Sequence, residues 1–247
     1  MKISNRTILI TGGGSGIGYE TAKLLSQDNK VIIVGRSVEK LKEAAASLNN
    51  TTAIQCDITN EDDINNLAAE IGAKYSDLSV LVNNAGIAFA YQHSENAGAF
   101  DKAKQEMETN YFSLIRLTEK LLPILKSQAE AAIANVSSIV AFTPWSVIPT
   151  YSDSKAAVHS YTLALRHTLA QDSNIKVFEL MPPTVNTEFS KEVGGDKNGM
   201  PPADVAKALI EGFNNDQYEI HVGMTAQFRD FFFSDPQQAF NMLNSQQ

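Results

Sequence analysis

Short runs that are apolar at nearly every position, such as TILIT at 7–11 and VIIV at 31–34, alternate along the chain with longer stretches whose apolar residues recur every three to four positions. The short runs are rich in β-branched residues and predict strands at 7–11, 30–34, 52–55, 80–83, 132–136, 176–181 and 218–222. Helical periodicity falls near 16–28, 38–49, 60–74, 100–126, 150–171 and 202–214. Two of these carry start signals: Ser37 stands before one, and Glu61, Asp62 and Asp63 crowd the first turn of another. Strands that alternate with helices predict parallel pairing, and strands apolar on both faces predict helices on both sides of the sheet. The expected fold class is α/β, a doubly wound, mainly parallel seven-stranded sheet of the Rossmann type.

No Pro/Gly/Ser linker, repeat or low-complexity tract divides the 247 residues, so a single domain over 1–247 is expected. The stretch 182–202, with four prolines and Gly194, Gly195 and Gly199, is long for a connection in such a fold and reads as a mobile lid. Apolar residues at 43% and charged residues at 19% match ordinary globular usage. A net charge of −8 repels phosphate backbones and argues against nucleic acid as a partner. The lone cysteine, Cys56, has no disulfide partner within the chain, and no apolar leader opens the sequence, so a cytoplasmic protein is expected. No apolar run approaches the roughly eighteen residues of a transmembrane helix. His93, His159, His167 and His221 form no i, i+4 pair, so no metal site is expected.

The candidate chemistry begins at Thr11–Gly18, TGGGSGIG, between the first strand and the first helix. Backbone amides and the positive end of the helix converge there, as a bound phosphate requires, although a glycine-rich turn made only for packing is the plainer alternative. A Walker loop is excluded, because Tyr19 and Glu20 stand where its Lys and Ser/Thr belong, and a G-x-S-x-G elbow fails at Ile17. The second strand ends in Gly35 and Arg36, where a site built for NAD carries a carboxylate for the ribose 2′-hydroxyl. A guanidinium there suits a 2′-phosphate, so NADP(H) is expected over NAD(H), by about 10- to 150-fold if one charge-assisted contact decides it. A solvated surface arginine is the alternative.

Tyr151 and Lys155 lie one helical turn apart, after a strand whose carboxyl end carries Ser138. Tyr19 and Lys23 repeat the spacing without any such serine. A carbonyl that accepts hydride needs a proton donor, and a phenol serves if a nearby ammonium lowers its pKa. Reaching the phenolate near pH 7 takes about three units, or about 4 kcal/mol. A helix-start aromatic and a turn serine are the bland readings of Tyr151 and Ser138.

Together these residues resemble the short-chain dehydrogenase/reductase family over essentially the whole chain. Its T-G-x-x-x-G-x-G is met by Thr11, Gly12, Gly16 and Gly18, its N-N-A-G by Asn83, Asn84, Ala85 and Gly86, and its Y-x-x-x-K by Tyr151 and Lys155. The resemblance implies an NADP(H)-dependent oxidoreductase that moves hydride between nicotinamide and a small-molecule carbonyl or secondary alcohol, with Asn110, Ser138, Tyr151 and Lys155 as catalytic residues. It implies cofactor contacts from Gly12, Gly14, Ser15, Gly16, Ile17 and Gly18, from Arg36 and Ile58, and from Asp57 at the adenine ring. Asn84, Ala85 and Gly86 continue the set with Tyr151, Pro182 and Val185, while Lys155 would hold the nicotinamide ribose and Thr187 would contact the carboxamide. Pro183 departs from the family's glycine.

The long helices at 100–126 and 150–171 would form the family's dimer surface, giving a homodimer or homotetramer. The run DQYEIHVG at 216–223 is also similar to reductase-like proteins encoded with bacterial genes for D-alanine transfer to teichoic acids. The rival reading is therefore an NADP(H)-binding sensor or cell-wall-pathway assembly partner with little turnover. A hydrolase using Ser138 lacks a histidine at any recognisable triad position. Phe142 and Trp145 either wall a substrate pocket or simply pack, and Phe228, Phe231 and Phe232 share one face of a possible helix that serves as core, subunit contact or lid.

Overall fold

The structure, a computed structural model, describes residues 1–245. Its seven strands are β1 (Thr7–Thr11), β2 (Lys30–Gly35), β3 (Thr51–Gln55), β4 (Leu78–Asn83), β5 (Ala131–Val136), β6 (Ile175–Met181) and β7 (Glu219–His221). They form one sheet in the order β3-β2-β1-β4-β5-β6-β7, and every pairing is parallel. The helices are α1 (Gly16–Leu25), α2 (Val38–Ala46), α3 (Glu61–Lys74), α4 (Ala99–Met107), α5 (Ser113–Lys126), α6 (Pro149–Asp172), α7 (Gly195–Asn198), α8 (Pro202–Asn214), α9 (Thr225–Ser234) and α10 (Pro236–Asn244).

The period of two in each strand divides the core. Ile8, Ile10, Ile33, Val80, Val82, Phe178 and Leu180 face one side, with Leu209 and Phe213 of α8. Leu9, Ile32, Leu81, Ile133 and Val177 face the other, with Ile64 and Ile71 of α3 and Leu117 and Leu121 of α5. Both faces are therefore covered, as strands without a polar face demand. Caps follow the sequence: Ser37 accepts from the Lys40 amide at the start of α2, and Asn60 from the Asp63 amide at the start of α3.

Strand order reverses between β1 and β4, and a crevice opens beyond the carboxyl ends of the strands at that point. One segment differs from expectation. The helix expected over 100–126 is interrupted by a π-helical turn at Glu108–Phe112, where one wider turn re-aims Asn110. The stretch 182–202, expected as a mobile lid, holds a 3₁₀ turn at Glu188–Val193 and the short α7, and is tied across its base where Asn186 N–H donates to Met200 O and Met200 N–H to Thr184 O.

Candidate active site

A cavity of about 890 Å³ fills the crevice. At one end is the turn between β1 and α1. Ser15 starts α1 in an extended conformation and makes no side-chain cap, so the first amides of the helix keep no acceptor within it and the turn offers free donors beside Gly12, Gly16 and Ile17. The glycines here have different tasks. A Cβ on Gly18 would stand 2.4 Å from Gly12 O and 2.6 Å from Asn84 Nδ2, so Gly18 lets α1 pack on the strand ends and itself lies outside the cavity lining. Gly12 and Gly16 have left-handed φ of 67° and 56° and border the cavity. Gly14 faces Leu41 instead, with no atom nearer than 3.6 Å to its missing Cβ.

β4 is laced to this turn. Thr11 Oγ1 accepts from the amides of Asn84 and Ala85, both at 3.0 Å, while Asn84 Nδ2 donates to Thr11 O at 2.9 Å. Asn83 points the other way, into the interior, where it donates to Thr118 and Asn135. Thr187 closes over the turn, its Cγ2 3.1 Å from where a Gly16 Cβ would stand. Pro182, Pro183 and Val185 continue the same wall.

Beyond β2 and β3 the cavity is bordered by Arg36, Asp57 and Ile58. Arg36 is exposed, and no carboxylate pairs with it among the described residues. Asp57 turns Oδ1 onto Thr59, accepting from its amide and hydroxyl. Cys56 lies here too, but burial and the charges of Asp63 and Asp57 push its thiol up to about 12, so it is no nucleophile.

The candidate reactive end is built by β5 and α6. Ser138, Tyr151 and Lys155 come together there, and all three border the cavity. Tyr151 is 8% exposed and belongs to an apolar cluster with Ile139, Val140, Ile148 and Phe228. Burial pushes its phenol well above the ordinary value of 10.0, the Ser138 hydroxyl works against that shift, and the charge of Glu106 adds to it. Lys155 is buried, donates to Val136 O at 2.8 Å, and has Nζ 5.5 Å from the Tyr151 ring centre. Burial brings it down to about 8, with Glu179 opposing. Burial thus raises the phenol where the sequence leads one to expect an ammonium to lower it, and the Lys155 ammonium is turned onto the Val136 carbonyl.

Asn110 stands behind the cavity. From the π-helical turn its side chain accepts from the Ile87 amide at 2.8 Å and donates to Ile87 O and Ser154 Oγ, both at 2.9 Å. It fixes the loop after β4, and Gly86 fits between it and Lys155 because a Cβ would come 3.1 Å from Asn110 Oδ1.

Sequence reasoning missed two buried carboxylates. Glu106 accepts from the Phe89 amide and the Thr150 hydroxyl, joining the loop after β4 to the start of α6, and burial raises its pKa. It stood among polar helix residues and carried no signal. Glu179 did carry one, as the lone acid in the otherwise apolar interior of β6, IKVFELM. It accepts from Ser137 Oγ at 2.5 Å and pairs with His159 Nδ1 at 2.9 Å.

Contact with Glu179 raises the pKa of His159 above 6.5 despite partial burial; Glu219 adds to this and Arg166 opposes it. The folded state therefore holds more protons at this site, so the stabilisation is complete below the ordinary histidine value and fades as pH climbs through the raised one. Thermal melts of wild type should lose stability over that window relative to His159→Gln. Parallel pH profiles for the two proteins would contradict the pairing.

Of the two candidate wall aromatics, Trp145 borders the cavity and Phe142 does not. Phe142 instead packs on His159, His221, Phe232 and Phe233. Phe228 reaches the cavity from α9, and Met224, Met242 and Leu243 border the same end.

The profile of the short chain dehydrogenase family matches residues 6–198. Over the full length of both chains, the protein is 36% identical to the "uncharacterized oxidoreductase DltE" of Bacillus subtilis. A short chain dehydrogenase from Burkholderia cenocepacia, solved in complex with NADP, superimposes with a TM-score of 0.87 at 26% identity, covering 98% of this chain and 99% of that one. One from Burkholderia phymatum, solved in complex with NAD, gives 0.85 at 19% identity over 95% and 96% of the two chains, a likeness of fold alone. No helix among the described residues is long and apolar enough to cross a membrane. With the motifs gathered at one crevice and the profile spanning most of the chain, the protein belongs to the short chain dehydrogenase family.

Proposed function

We propose that the protein is an NADPH-preferring reductase of carbonyl compounds, reversible as an alcohol dehydrogenase. The observation that carries this reading is the meeting of the Tyr151 phenol and the Ser138 hydroxyl at one end of a cavity whose other end is an amide-rich glycine turn beside Arg36. A nicotinamide dinucleotide fits the residues present: Gly12, Ser15, Gly16 and Ile17 would hold its pyrophosphate, Asp57 and Ile58 its adenine, and Asn84, Ala85, Gly86, Pro182, Val185 and Thr187 its nicotinamide half. When bound, the dinucleotide supplies the hydride that reaches the carbonyl carbon.

The protein's own part is the proton and the geometry. Tyr151 gives its O–H proton to the carbonyl oxygen as negative charge develops, and solvent returns one afterwards. A phenol kept protonated by burial is suited to that direction. The Ser138 hydroxyl holds the same oxygen. Lys155 supports the strand end through Val136 O and places positive charge beside the ring. Asn110 acts through position, keeping the loop after β4 and Ser154 in register.

Purified protein offered NADPH and NADH with a panel of aldehydes and ketones should oxidise NADPH in the presence of at least one class. Protein that binds NADPH yet turns over nothing in the panel counts against this reading and for a non-catalytic binder. Arg36 is tested separately. NADPH should bind about 10- to 150-fold tighter than NADH, and Arg36→Ala should bring the two within a few fold. Equal affinities in wild type would overturn the cofactor preference.

A further inference from the structure

At the Tyr151 end the cavity changes character. The charged side chains among the described residues that border it are Arg36, Asp57, Lys155 and Glu188. Arg36 and Asp57 follow β2 and β3, on the far side of β1 from β5 and Tyr151. Lys155 is 4% exposed and turned onto Val136 O. Glu188 has an 83% exposed side chain beside Lys191. No cation is therefore left at this end to meet a carboxylate or phosphate on the substrate.

Facing Ser138 and Tyr151 across the reacting position is a mainly apolar wall. Trp145 and Ile148 come from the loop between β5 and α6, and Val193 from the 3₁₀ turn after β6. Met224 just before α9 and Phe228 within it, with Met242 and Leu243 from α10, form the roof. The roof is latched: Ser146 N–H donates to Asn244 Oδ1 at 2.7 Å, and Asn244 Nδ2 to Pro144 O at 3.1 Å, binding the end of α10 to the loop that carries Trp145. Methionines at two of the four roof positions add an adaptable surface.

We infer that the substrate is an uncharged carbonyl compound bearing an aliphatic or aryl chain, seated between Trp145 and the α9–α10 roof, and that compounds with a carboxylate or phosphate on that chain are excluded. The inference rests on the reductase reading for the position of the reacting carbon. An ionised group placed there would lose water and gain no partner. A methylene placed there is transferred out of water into hydrocarbon surroundings, which strengthens binding about fourfold for each one accommodated.

Trp145 is the only tryptophan in the chain, so its emission reports this end without need of turnover. Linear primary amides from butanamide to octanamide, unreactive mimics of aldehydes, are titrated into the protein with NADPH bound, alongside the carboxylates of equal length. Affinity should rise about fourfold per methylene across the amides, and each carboxylate should bind at least tenfold weaker than its amide. Met242→Glu, at a position 50% exposed, should weaken octanamide at least tenfold, with NADPH affinity and melting temperature as checks on the fold. Carboxylates that bind as well as amides, or affinities flat with length, overturn the inference. Length-dependent amide binding in a protein that reduces no aldehyde upholds this pocket and overturns the reductase reading, whereas turnover with charge-tolerant, length-independent binding does the opposite.

Discussion

Tyr151→Phe should lower kcat/KM for carbonyl reduction about 10³-fold, leave NADPH affinity within a few fold, and shift the melting temperature little. The change removes one hydroxyl and keeps the ring among Ile139, Val140, Ile148 and Phe228, so packing is retained and only the proton donor is lost. Loss of a general acid that also stabilises a developing oxyanion accounts for a factor of that size. The pH profile discriminates further. Because burial holds the phenol above its ordinary range, the alkaline fall in kcat/KM should not report Tyr151. It should instead follow Lys155, which is brought down to about 8 and loses its charge as pH passes that value. A Phe variant retaining a tenth of wild-type activity would remove Tyr151 from the chemistry.

Gly18→Ala should destabilise the fold by about 1–3 kcal/mol and weaken NADPH at least a hundredfold. The added methyl meets the Gly12 carbonyl at 2.4 Å and Asn84 Nδ2 at 2.6 Å. Neither can retreat cheaply: Asn84 is bonded to Thr11, and the Gly12 amide to Val34 O. Relief requires α1 to move off the strand ends, which disperses the amides of the turn. Gly14→Ala is the matched control. Its Cβ would make ordinary contact with Leu41, its φ is not left-handed, and the loss of chain freedom in the unfolded state should leave stability unchanged or higher by about 0.4–1 kcal/mol. Chemical denaturation and nucleotide titration of the two variants read both effects. Equal behaviour would show that the turn's glycines are fillers.

What the sequence disclosed and what it hid divide along a physical line. The central strands β1, β4 and β5 were legible because they are buried on both faces and leave no polar alternation to misread, whereas the edge strand β3 is half exposed. Gly12, Gly16 and the Tyr151–Lys155 pair were legible because close backbone approach and helical spacing restrict residue type locally, whereas the Asn83–Gly86 run was legible only through its resemblance to the family's motif. The state of Tyr151 was not, since its pKa depends on burial by Ile148 and Phe228, residues that spacing cannot bring together. The π-helical turn at Glu108–Phe112 left no mark because the periodicity of 100–126 continues on both sides of it. Phe142 and Trp145 looked interchangeable in the loop, and only contacts with His159 and Phe232 on one side, and with the cavity on the other, separate them. α10 was obscured by Pro236, which ends one helix and begins the next while Asp235 caps the start by accepting from the Gln238 amide.

The roof made by α9 and α10 lies wholly beyond residue 198, where the family profile stops, whereas the turn, the serine, the tyrosine and the lysine all lie before it. On the proposed reading the groups that move hydride and proton all lie before that point, while the reactant's pocket is shared between Trp145, Ile148 and Val193 before it and the roof beyond it. Exchanging the final helical hairpin between relatives, together with the Asn244 anchorage, would then alter one wall of the pocket and leave the proposed chemistry in place.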